Sequence, residues 1–363
     1  MGATMSIALN RSPGRSGRQF QTLLRTEIVS GKFLAGDFLP TVREFSQVHS
    51  LTRKTVNLAL KRLELEGLLA AEPRQGYRVQ ANAADPDRGC PLAFVADLLG
   101  APDVWMPLHQ ELLAALQGAA VSRGWSLMGI GSQGRTSQEV LRQLLTARAC
   151  GLILDSVDAG IQQAIQRIGL PAVAVDTWEF GAPIDSIVQD SYEGGVLAAG
   201  YLLARGHERI AWLGPTSWSS HSQARVAGTL AGLLRGRRRL DPELIVECPR
   251  DAAEEQAREL LLRKERPTGI VALYHEVATT LVRVARGLGL RVGADVEVVG
   301  WCTEGEYQRD WRPLFQTGPA APAVVWSPRR MAELAVSRLA ERRAHPGLLP
   351  VRINVPVTLR TAE

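Results

Sequence analysis

The stretch that decides the fold of the N-terminal part is LPTVREF at 39–45, followed after a short gap by LTRKTV at 51–56. Thr41 and Thr52 each stand in front of a run whose apolar residues recur at helical spacing, so both are typical helix N-caps. Glu44 follows Thr41 at the spacing of a capping box. The stretch therefore predicts two helices joined by a short turn.

The sequence on both sides extends this pattern. Apolar residues between 20 and 29 predict a preceding helix, and Gly67 ends the helix that Thr52 begins. Two short β segments, about Leu69–Glu72 and Tyr77–Val79, then flank a tight turn. Helix, short helix, turn, helix and hairpin make a winged helix-turn-helix, whose third helix enters the major groove of DNA.

The net positive charge of the chain is concentrated in this same part. Residues 1–80 hold 12 Lys/Arg against 6 Asp/Glu, whereas the remaining residues of the 363 hold 30 against 31. A small basic module on a nearly neutral body is the layout expected for binding a polyanion. Residues 1–17 are polar and predict a flexible N-terminus without a secretory signal, and no apolar run is long enough to cross a membrane. We therefore expect a cytoplasmic protein without membrane contact.

The cysteines give little sign of a special site. Cys90, Cys150, Cys248 and Cys302 lie far apart, with neither CxxC nor Cys/His spacing. A zinc site or a disulfide framework is not expected, and reduced thiols are the default in the cytoplasm. We expect no cofactor and no metal.

The basic module resembles the DNA-binding domain of the GntR family. The matching segments are 39–45, 51–56, AL at 59–60, Leu63, EGL at 66–68 and QGYRV at 75–79. The resemblance implies that Arg43 hydrogen-bonds a guanine edge, for which a guanidinium fork is suited. It also implies DNA contacts at the start of the recognition helix and at the wing tip. The expected DNA-binding residues are Thr41, Arg43, Thr52, Arg53, Lys54, Thr55, Asn57, Gln75 and Gly76.

Beyond a polar linker at 81–90, short apolar runs alternate with helical segments. The predicted strands are Leu92–Val95, Ser126–Ile130, Gly151–Leu154, Ala172–Val175, Ile210–Leu213, Ile270–Leu273 and Val296–Val299. The predicted helices between them include Leu108–Arg123, Gln138–Ala147, Gly194–Arg205 and Ala252–Arg263. Buried strands alternating with helices indicate doubly wound parallel sheets, which bind ligands beyond the carboxyl ends of their strands.

Four tryptophans follow predicted strands, at the edge where a ligand would bind. They are Trp105 after the first strand, Trp178 after the fourth, Trp218 after Leu213 and Trp301 directly after Val299. Flat rings at such an edge are suited to stacking on sugar or nucleobase faces. The alternative is that each of them packs in a core.

This large region resembles the effector domain of the LacI/GalR family and its periplasmic sugar-binding relatives. The matching segments include GLPAVAVD at 169–176, VQD at 188–190, RGHERIA at 205–211, RVAG at 225–228, PTGI at 267–270 and VVG at 298–300. The resemblance implies two lobes within 91–363, about 91–188 with 319–342 and about 189–318 with 346–363, and an effector bound between them. His207 occupies the family's structural Gly-His turn, and Arg225 matches the arginine that holds the effector.

Two departures from that family affect the expected ligand. The chain has Tyr274-His275 where the family commonly has Asn-Asp, and Gly300-Trp301-Cys302 where it has Gly-Phe-Asp. A thiol is a poor replacement for a carboxylate that accepts hydrogen bonds. We therefore expect either a ligand that is larger, more aromatic or more anionic than a neutral sugar, or a site without ligand. The expected effector residues are Trp105, Asp176, Trp178, Trp218, Arg225, His275, Trp301 and Cys302.

Taken together, these patterns predict a multidomain α/β protein: a winged helix-turn-helix at 18–80, a linker at 81–90 and a two-lobed periplasmic-binding-protein-like domain at 91–363. We expect a transcription repressor that binds double-stranded operator DNA as a homodimer under the control of a small-molecule effector. The alternative is a DNA-binding regulator whose sensor-like domain only dimerises. No nucleophile elbow, P-loop or HExxH motif favours an enzyme, and an exported solute-binding protein would not begin with a winged helix.

Overall fold

The structure, a computed structural model, describes residues 17–29, 32–34, 36–73, 75–80, 91–97, 107–177, 184–217, 219–315 and 320–361. Contacts divide the chain into two compact units. The first comprises Met1–Asp103, Leu116–Val173 and Val336–Leu349, and the second comprises Val104–Ala115, Ala174–Ala335 and Pro350–Glu363. In the described part of the chain, no helix is both long enough and apolar enough to span a bilayer.

The N-terminal elements follow the predicted order. They are α1 (Gly17–Val29), α2 (Val42–His49), α3 (Arg53–Leu65), β1 (Leu69–Glu72) and β2 (Gly76–Val79). The two strands pair antiparallel, and Phe38 adds a bridge to Arg78. One apolar cluster joins all of these elements, and its largest buried side chains include Phe20, Leu24, Ile28, Phe45, Leu60 and Leu63. The fold is a winged helix-turn-helix, as predicted.

Both predicted N-caps are present. Thr41 accepts the backbone N–H of Glu44, and the Glu44 carboxylate accepts the N–H of Thr41 at 2.6 Å, which completes the capping box. Thr52 accepts the N–H of Thr55 at 3.2 Å. Ser50, with φ 54°, ends α2 in the left-handed region and turns the chain into α3. The turn is thus fixed by short-range hydrogen bonds, which explains why the sequence predicts it.

We expect Thr52→Ala to lower the stability of the winged helix by about 1 kcal/mol, because it leaves an N–H at the start of α3 without its acceptor. Thr52→Ser keeps the acceptor oxygen and is the matched control. Chemical denaturation of the full chain, followed by far-ultraviolet circular dichroism, measures the difference. Equal midpoints for the Ala and Ser variants would contradict this role for the hydroxyl.

Two six-stranded sheets form the rest of the described chain. The first has the order β13-β7-β6-β5-β3-β4. Its strands are β3 (Pro91–Ala96), β4 (Ser126–Gly131), β5 (Gly151–Asp155), β6 (Ala172–Val175), β7 (Asp185–Gln189) and β13 (Arg352–Val355). The second has the order β14-β12-β11-β10-β8-β9. Its strands are β8 (Ile210–Leu213), β9 (Ile245–Val246), β10 (Gly269–Ala272), β11 (Glu297–Thr303), β12 (Ala323–Trp326) and β14 (Thr358–Arg360).

Helices connect these mostly parallel strands, as in doubly wound folds. They are α4 (Pro107–Val121), α5 (Ser137–Thr146), α6 (Ala159–Ile168), α7 (Ser191–Ala204), α8 (Ser220–Arg235), α9 (Ala253–Leu262), α10 (His275–Gly287), the single turn α11 (Glu304–Glu306) and α12 (Pro328–Ala344). Every predicted strand and helix has a counterpart here within a few residues. The predicted fold class is therefore confirmed.

Glycines let the backbones of α7 and α8 approach closely. A Cβ on Gly195 would lie 2.3 Å from the carbonyl oxygen of Arg225, and one on Gly228 would lie 2.0 Å from that of Tyr192. Real Cβ atoms do not approach backbone this closely, so these positions tolerate no side chain. This contact fixes where Arg225 stands on α8.

The structure corrects two expectations, and others fall on residues that it does not describe. Strand β11 continues to Thr303, so Trp301 and Cys302 lie inside a strand rather than after it. Cys150 is disulfide-bonded, whereas Cys248 and Cys302 are free. The expectation that the cysteines are reduced thiols was therefore wrong for Cys150. The linker at 81–90 and the N-terminus before residue 17 lie outside the described residues, and the predicted domain boundaries stay predictions.

Candidate functional site

Helix α3 has one buried and one exposed face. Its buried residues pack in the winged-helix core, whereas Arg53, Lys54, Asn57, Leu58 and Lys61 are exposed. These positions recur at the spacing of one helix face. The exposed face is therefore polar and basic, apart from Leu58.

The cations on this surface have no acidic partner among the described residues. Arg43 at the start of α2 and Arg53 and Lys54 at the start of α3 are exposed, and none forms an ion pair with a described residue. By contrast, the partly buried Arg25 donates to Glu66 at 2.7 Å and ties α1 to the end of α3. Unpaired cations at the start of exposed helices are available to phosphate and base acceptors.

The threonine hydroxyls that were predicted to contact DNA form hydrogen bonds within the winged helix. Besides capping α3, the Thr52 hydroxyl lies 2.8 Å from the hydroxyl of Thr55. Thr41 caps α2 in the same way. Gln75 and Gly76 are exposed where the hairpin turns, and Gly76 has φ +104°, a conformation that favours glycine. Thr41 and Thr52 fix where α2 and α3 begin, and Gly76 fixes the turn of the hairpin. They therefore determine the shape of the exposed surface on which they lie.

A second group of polar residues lies in the second unit, around Asp176. Asp176 follows β6 with φ 47°. Gln189, at the end of β7, donates its amide Nε2–H to Asp176 Oδ1 at 3.1 Å. Trp301 in turn donates its indole N–H to Gln189 Oε1 at 2.9 Å. This chain of hydrogen bonds fixes the orientation of all three side chains.

His221 secures the same aspartate from α8. Its Nε2 donates to the backbone carbonyl of Asp176 and lies 3.4 Å from Oδ1. In this tautomer, Nδ1 accepts from the Ser191 hydroxyl at 3.4 Å. The order Ser-His-Asp is that of a catalytic triad, but Ser191 is buried at the first position of α7. The geometry therefore favours a positioning network over a nucleophile.

Arg225 is a buried cation beside this network. Its guanidinium carbon lies 4.5 Å from the centre of the Trp301 ring and 5.4 Å from that of Tyr274. The side chain is buried, with only 3% of the residue exposed, and burial lowers the pKa of its guanidinium. Nε and Nη1 have no hydrogen-bond partner in the described part of the chain. A buried guanidinium with unused donors is suited to binding ligand oxygens.

Residues at and beyond the ends of β10 and β11 form an adjoining group. His275 begins α10, and its Nε2 lies 3.7 Å from Asp310 Oδ2. Burial lowers the pKa of His275 and raises that of the Cys302 thiol. Burial also raises the pKa of Glu306 to about 7, although its carboxylate accepts the N–H of Thr303 at 2.8 Å. In the described residues, no three His, Cys, Asp or Glu side chains are placed to hold a metal ion.

Comparison with protein families matches both parts of the chain. Residues 18–79 match the model of bacterial regulatory proteins of the gntR family, and residues 199–361 match that of a periplasmic binding protein-like domain. The two matches fall on the winged helix and on the region that contains Arg225 and Trp301. The chain therefore carries a gntR-type DNA-binding domain and a periplasmic binding protein-like domain.

Individual relatives agree with this assignment. The regulator is 24% identical over 296 residues to the arabinose metabolism transcriptional repressor of Geobacillus stearothermophilus, a match that covers 76% of this chain and 78% of that protein. It is 26% identical over 246 residues to the HTH-type transcriptional repressor PurR of Photobacterium profundum, covering 65% and 71%. The regulator CelR in complex with cellobiose has a similar fold (TM-score 0.64, 20% identity, 90% and 99% covered), as has the operator-bound lac repressor dimer (0.61, 23%, 78% and 96%).

The structure of the regulator brings some of the predicted effector residues together. Asp176, Arg225 and Trp301 belong to one cluster, with His275 and Cys302 in the adjoining group. Cys302 is buried inside β11, where it pairs with Val325 of the neighbouring strand β12. The remaining predicted residues, Trp105, Trp178 and Trp218, lie outside the described residues. Their role stays a prediction.

Several residues of the regulator's cluster were not predicted. Gln189 stands in a segment that matches the LacI/GalR pattern, but its link between Asp176 and Trp301 has no local signal. His221 and Tyr274 likewise acquire their partners only through the fold. His221 donates to the carbonyl of Asp176, and the Tyr274 hydroxyl lies 3.2 Å from the Ser222 hydroxyl. Arg250, in a short turn before α9, lies 5.4 Å from the Tyr274 ring. Each of these contacts joins segments far apart in the sequence.

We expect Glu306 to make the stability of the regulator depend on pH. Because burial raises its folded pKa to about 7 from 4.5, the folded state retains a proton that the unfolded state loses between these values. The free energy of unfolding therefore falls as pH rises through this window, by at most about 1.4 kcal/mol per pH unit. Glu306→Gln keeps an acceptor for Thr303 and removes the titration. Melting temperatures at pH 5 and pH 8 should show a smaller loss in the variant; parallel losses would contradict the assignment.

Proposed function

We propose that this chain is a cytoplasmic transcription repressor that binds operator DNA as a homodimer and responds to a small-molecule effector in its α/β domain. The observation that carries the proposal is the exposed basic face of α3, preceded by the unpaired Arg43 at the start of α2. The relatives whose names describe transcriptional repressors support the same direction of control.

DNA recognition follows from the arrangement of α2 and α3. The exposed start of α3 presents Arg53, Lys54 and Asn57, and helix-turn-helix proteins place the start of this helix against base edges. Lysine and arginine contacts to phosphate set the register, whereas side chains that contact base edges carry specificity. We assign the reading of a guanine to Arg43 and phosphate contacts to Arg53 and Lys54.

Effector binding is supported by the cluster around Arg225. Hydrogen bonds from Gln189 and His221 fix Asp176, and aromatic rings flank a guanidinium with unused donors. Such a preorganised set of polar and aromatic groups is typical of small-molecule sites. A domain that served dimerisation alone would not require a buried cation with unpaired nitrogens, because an apolar residue of similar size would be more stable there.

A homodimer accounts for control of DNA binding. Two winged helices related by a twofold axis match a pseudo-palindromic operator, whose half-sites fix the spacing of the DNA-binding heads. An effector changes operator affinity only as far as it binds one arrangement of the dimer more tightly than the other. We expect the effector-bound form to release DNA.

The test is DNA binding by the full chain, measured by fluorescence anisotropy. Labelled duplexes from the promoter region of its own gene are compared with a scrambled duplex of equal length at two salt concentrations. We expect tighter binding to the promoter duplex and an affinity for both duplexes that falls as salt rises. Arg329→Ala removes one exposed charge on α12 and should change neither result. Equal affinity for the promoter and scrambled duplexes would contradict the proposed function.

A further inference from the structure

The guanidinium of Arg225 has aromatic neighbours but lacks acceptors for two of its donors. The rings of Trp301 and Tyr274 lie 4.5 and 5.4 Å from its carbon, and they stabilise a cation but accept no strong in-plane hydrogen bond. Its Nε and Nη1 donors are buried without an acceptor in the described residues. Because an unpaired buried donor is costly, and a buried cation more so, the site calls for an external acceptor.

Asp176 and Glu306 act electrostatically on this cation, and both carboxylates have other hydrogen-bond partners. Asp176 accepts from Gln189 and lies beside His221, and it forms no ion pair with Arg225 within the described chain. Glu306 has a pKa of about 7 because of burial, so at neutral pH it is ionised in only part of the molecules. Within the described part of the chain, no carboxylate therefore forms an ion pair with Arg225.

A second guanidinium shares the ring of Tyr274. Arg250 and Arg225 each have their guanidinium carbon 5.4 Å from its centre. The ion pair of Arg250 is a long one, 3.7 Å to Glu276, and both side chains are about two-fifths exposed. Exposed ion pairs of this kind contribute little to stability. Arg250 therefore places a second, partly exposed guanidinium beside the ring that Arg225 contacts.

We infer that the ligand of this site is an organic anion whose carboxylate or phosphoryl oxygens bind Arg225, with Arg250 contributing from beside the same tyrosine ring. This rests on the proposed function, since it names the class of effector that the sensor domain takes. A guanidinium fork donates two parallel hydrogen bonds to a planar carboxylate or a phosphate, and these charge-assisted bonds are the stronger kind. A neutral sugar would satisfy the donors but leave the buried charge uncompensated.

The test compares probes that share a ring and differ in charge. Thermal melting of the full chain is recorded with glucose, glucuronate and glucose 6-phosphate, and with acetate and inorganic phosphate, against chloride at equal ionic strength. We expect an oxyanion to raise the melting temperature and glucose to have no effect. Glucuronate and acetate against glucose 6-phosphate and inorganic phosphate separate a carboxylate ligand from a phosphoryl ligand.

Variants connect the effect to the two arginines. Arg225→Gln should abolish the stabilisation, and Arg250→Gln should weaken the affinity for the stabilising anion about tenfold, as for the loss of one charge-assisted hydrogen bond. Arg291→Gln, at an exposed pair with Asp295 outside this cluster, is the matched control and should behave as wild type. If Arg225→Gln does not fold, the more exposed Arg250 provides the same comparison.

Stabilisation by glucose alone, or by none of the oxyanions, would overturn the inference. So would an oxyanion effect that persists unchanged in Arg225→Gln. None of these results affects the proposed function, because selective binding to the promoter duplex is measured without any probe. Loss of that selectivity with an intact oxyanion response would overturn the proposed function instead.

Discussion

Gly228→Ala is expected to destabilise the second unit of this regulator by about 1–3 kcal/mol or more, because the added Cβ would lie 2.0 Å from the carbonyl oxygen of Tyr192. The obstacle is backbone, which cannot move aside as a flexible side chain can. Helices α7 and α8 must separate, and α8 holds both His221 and Arg225. We therefore expect a lower melting temperature together with a weaker response to any effector.

Gly200→Ala is the matched control for this change. Gly200 is exposed on α7, and nothing lies within 4 Å of the Cβ that it would gain. In an unobstructed helix, alanine in place of glycine stabilises by about 0.4–1 kcal/mol. Differential scanning calorimetry should therefore move the two variants in opposite directions. Similar melting temperatures for both would mean that the α7–α8 contact is not as tight as described.

Arg43→Ala is expected to lower affinity for the preferred duplex about 10- to 100-fold and to lower affinity for a scrambled duplex much less. The removed fork would contact one base, a bidentate contact worth about 1–3 kcal/mol. Arg43 is exposed and forms no ion pair with another residue that the structure describes, so its replacement should leave the fold intact. Fluorescence anisotropy with both duplexes gives the two affinities.

Lys61→Ala is the control that separates charge from sequence recognition. Lys61 is exposed near the end of α3, about two turns of helix beyond Arg53 and Lys54. Any effect of its loss should be equal for both duplexes and should lower the dependence of affinity on salt. If Arg43→Ala weakens both duplexes equally, Arg43 contacts phosphate and the reading residue lies elsewhere.

The winged helix could be predicted from the sequence because its signals are local. Thr41 and Glu44 complete their capping box within one turn, and Thr52 caps α3 in the same way. The alternating strands and helices were likewise visible as apolar runs. The strands β7, β9, β12, β13 and β14 were not predicted from the sequence. Of these, β9 and β14 are short edge strands whose pairing depends on neighbours distant in sequence.

The effector cluster could be predicted only in part. Asp176, Arg225 and Trp301 were expected from the family pattern, but Gln189 and His221, which fix Asp176, follow from packing alone. Trp301 was expected beyond a strand end, whereas β11 continues past it. It stands against Gly194, where a Cβ would lie 2.2 Å from its ring. Such tertiary contacts leave no periodic pattern in the sequence.

The central claim is that an effector bound near Arg225 controls binding to DNA, and one measurement tests it most directly. The affinity of the full chain for its promoter duplex is measured with each charged and neutral probe at constant ionic strength, for wild type and for Arg225→Gln. We predict that a probe which raises the melting temperature changes the dissociation constant for DNA about 5- to 150-fold in wild type and not in the variant. A probe that stabilises the protein through Arg225 but leaves that dissociation constant unchanged would contradict the account.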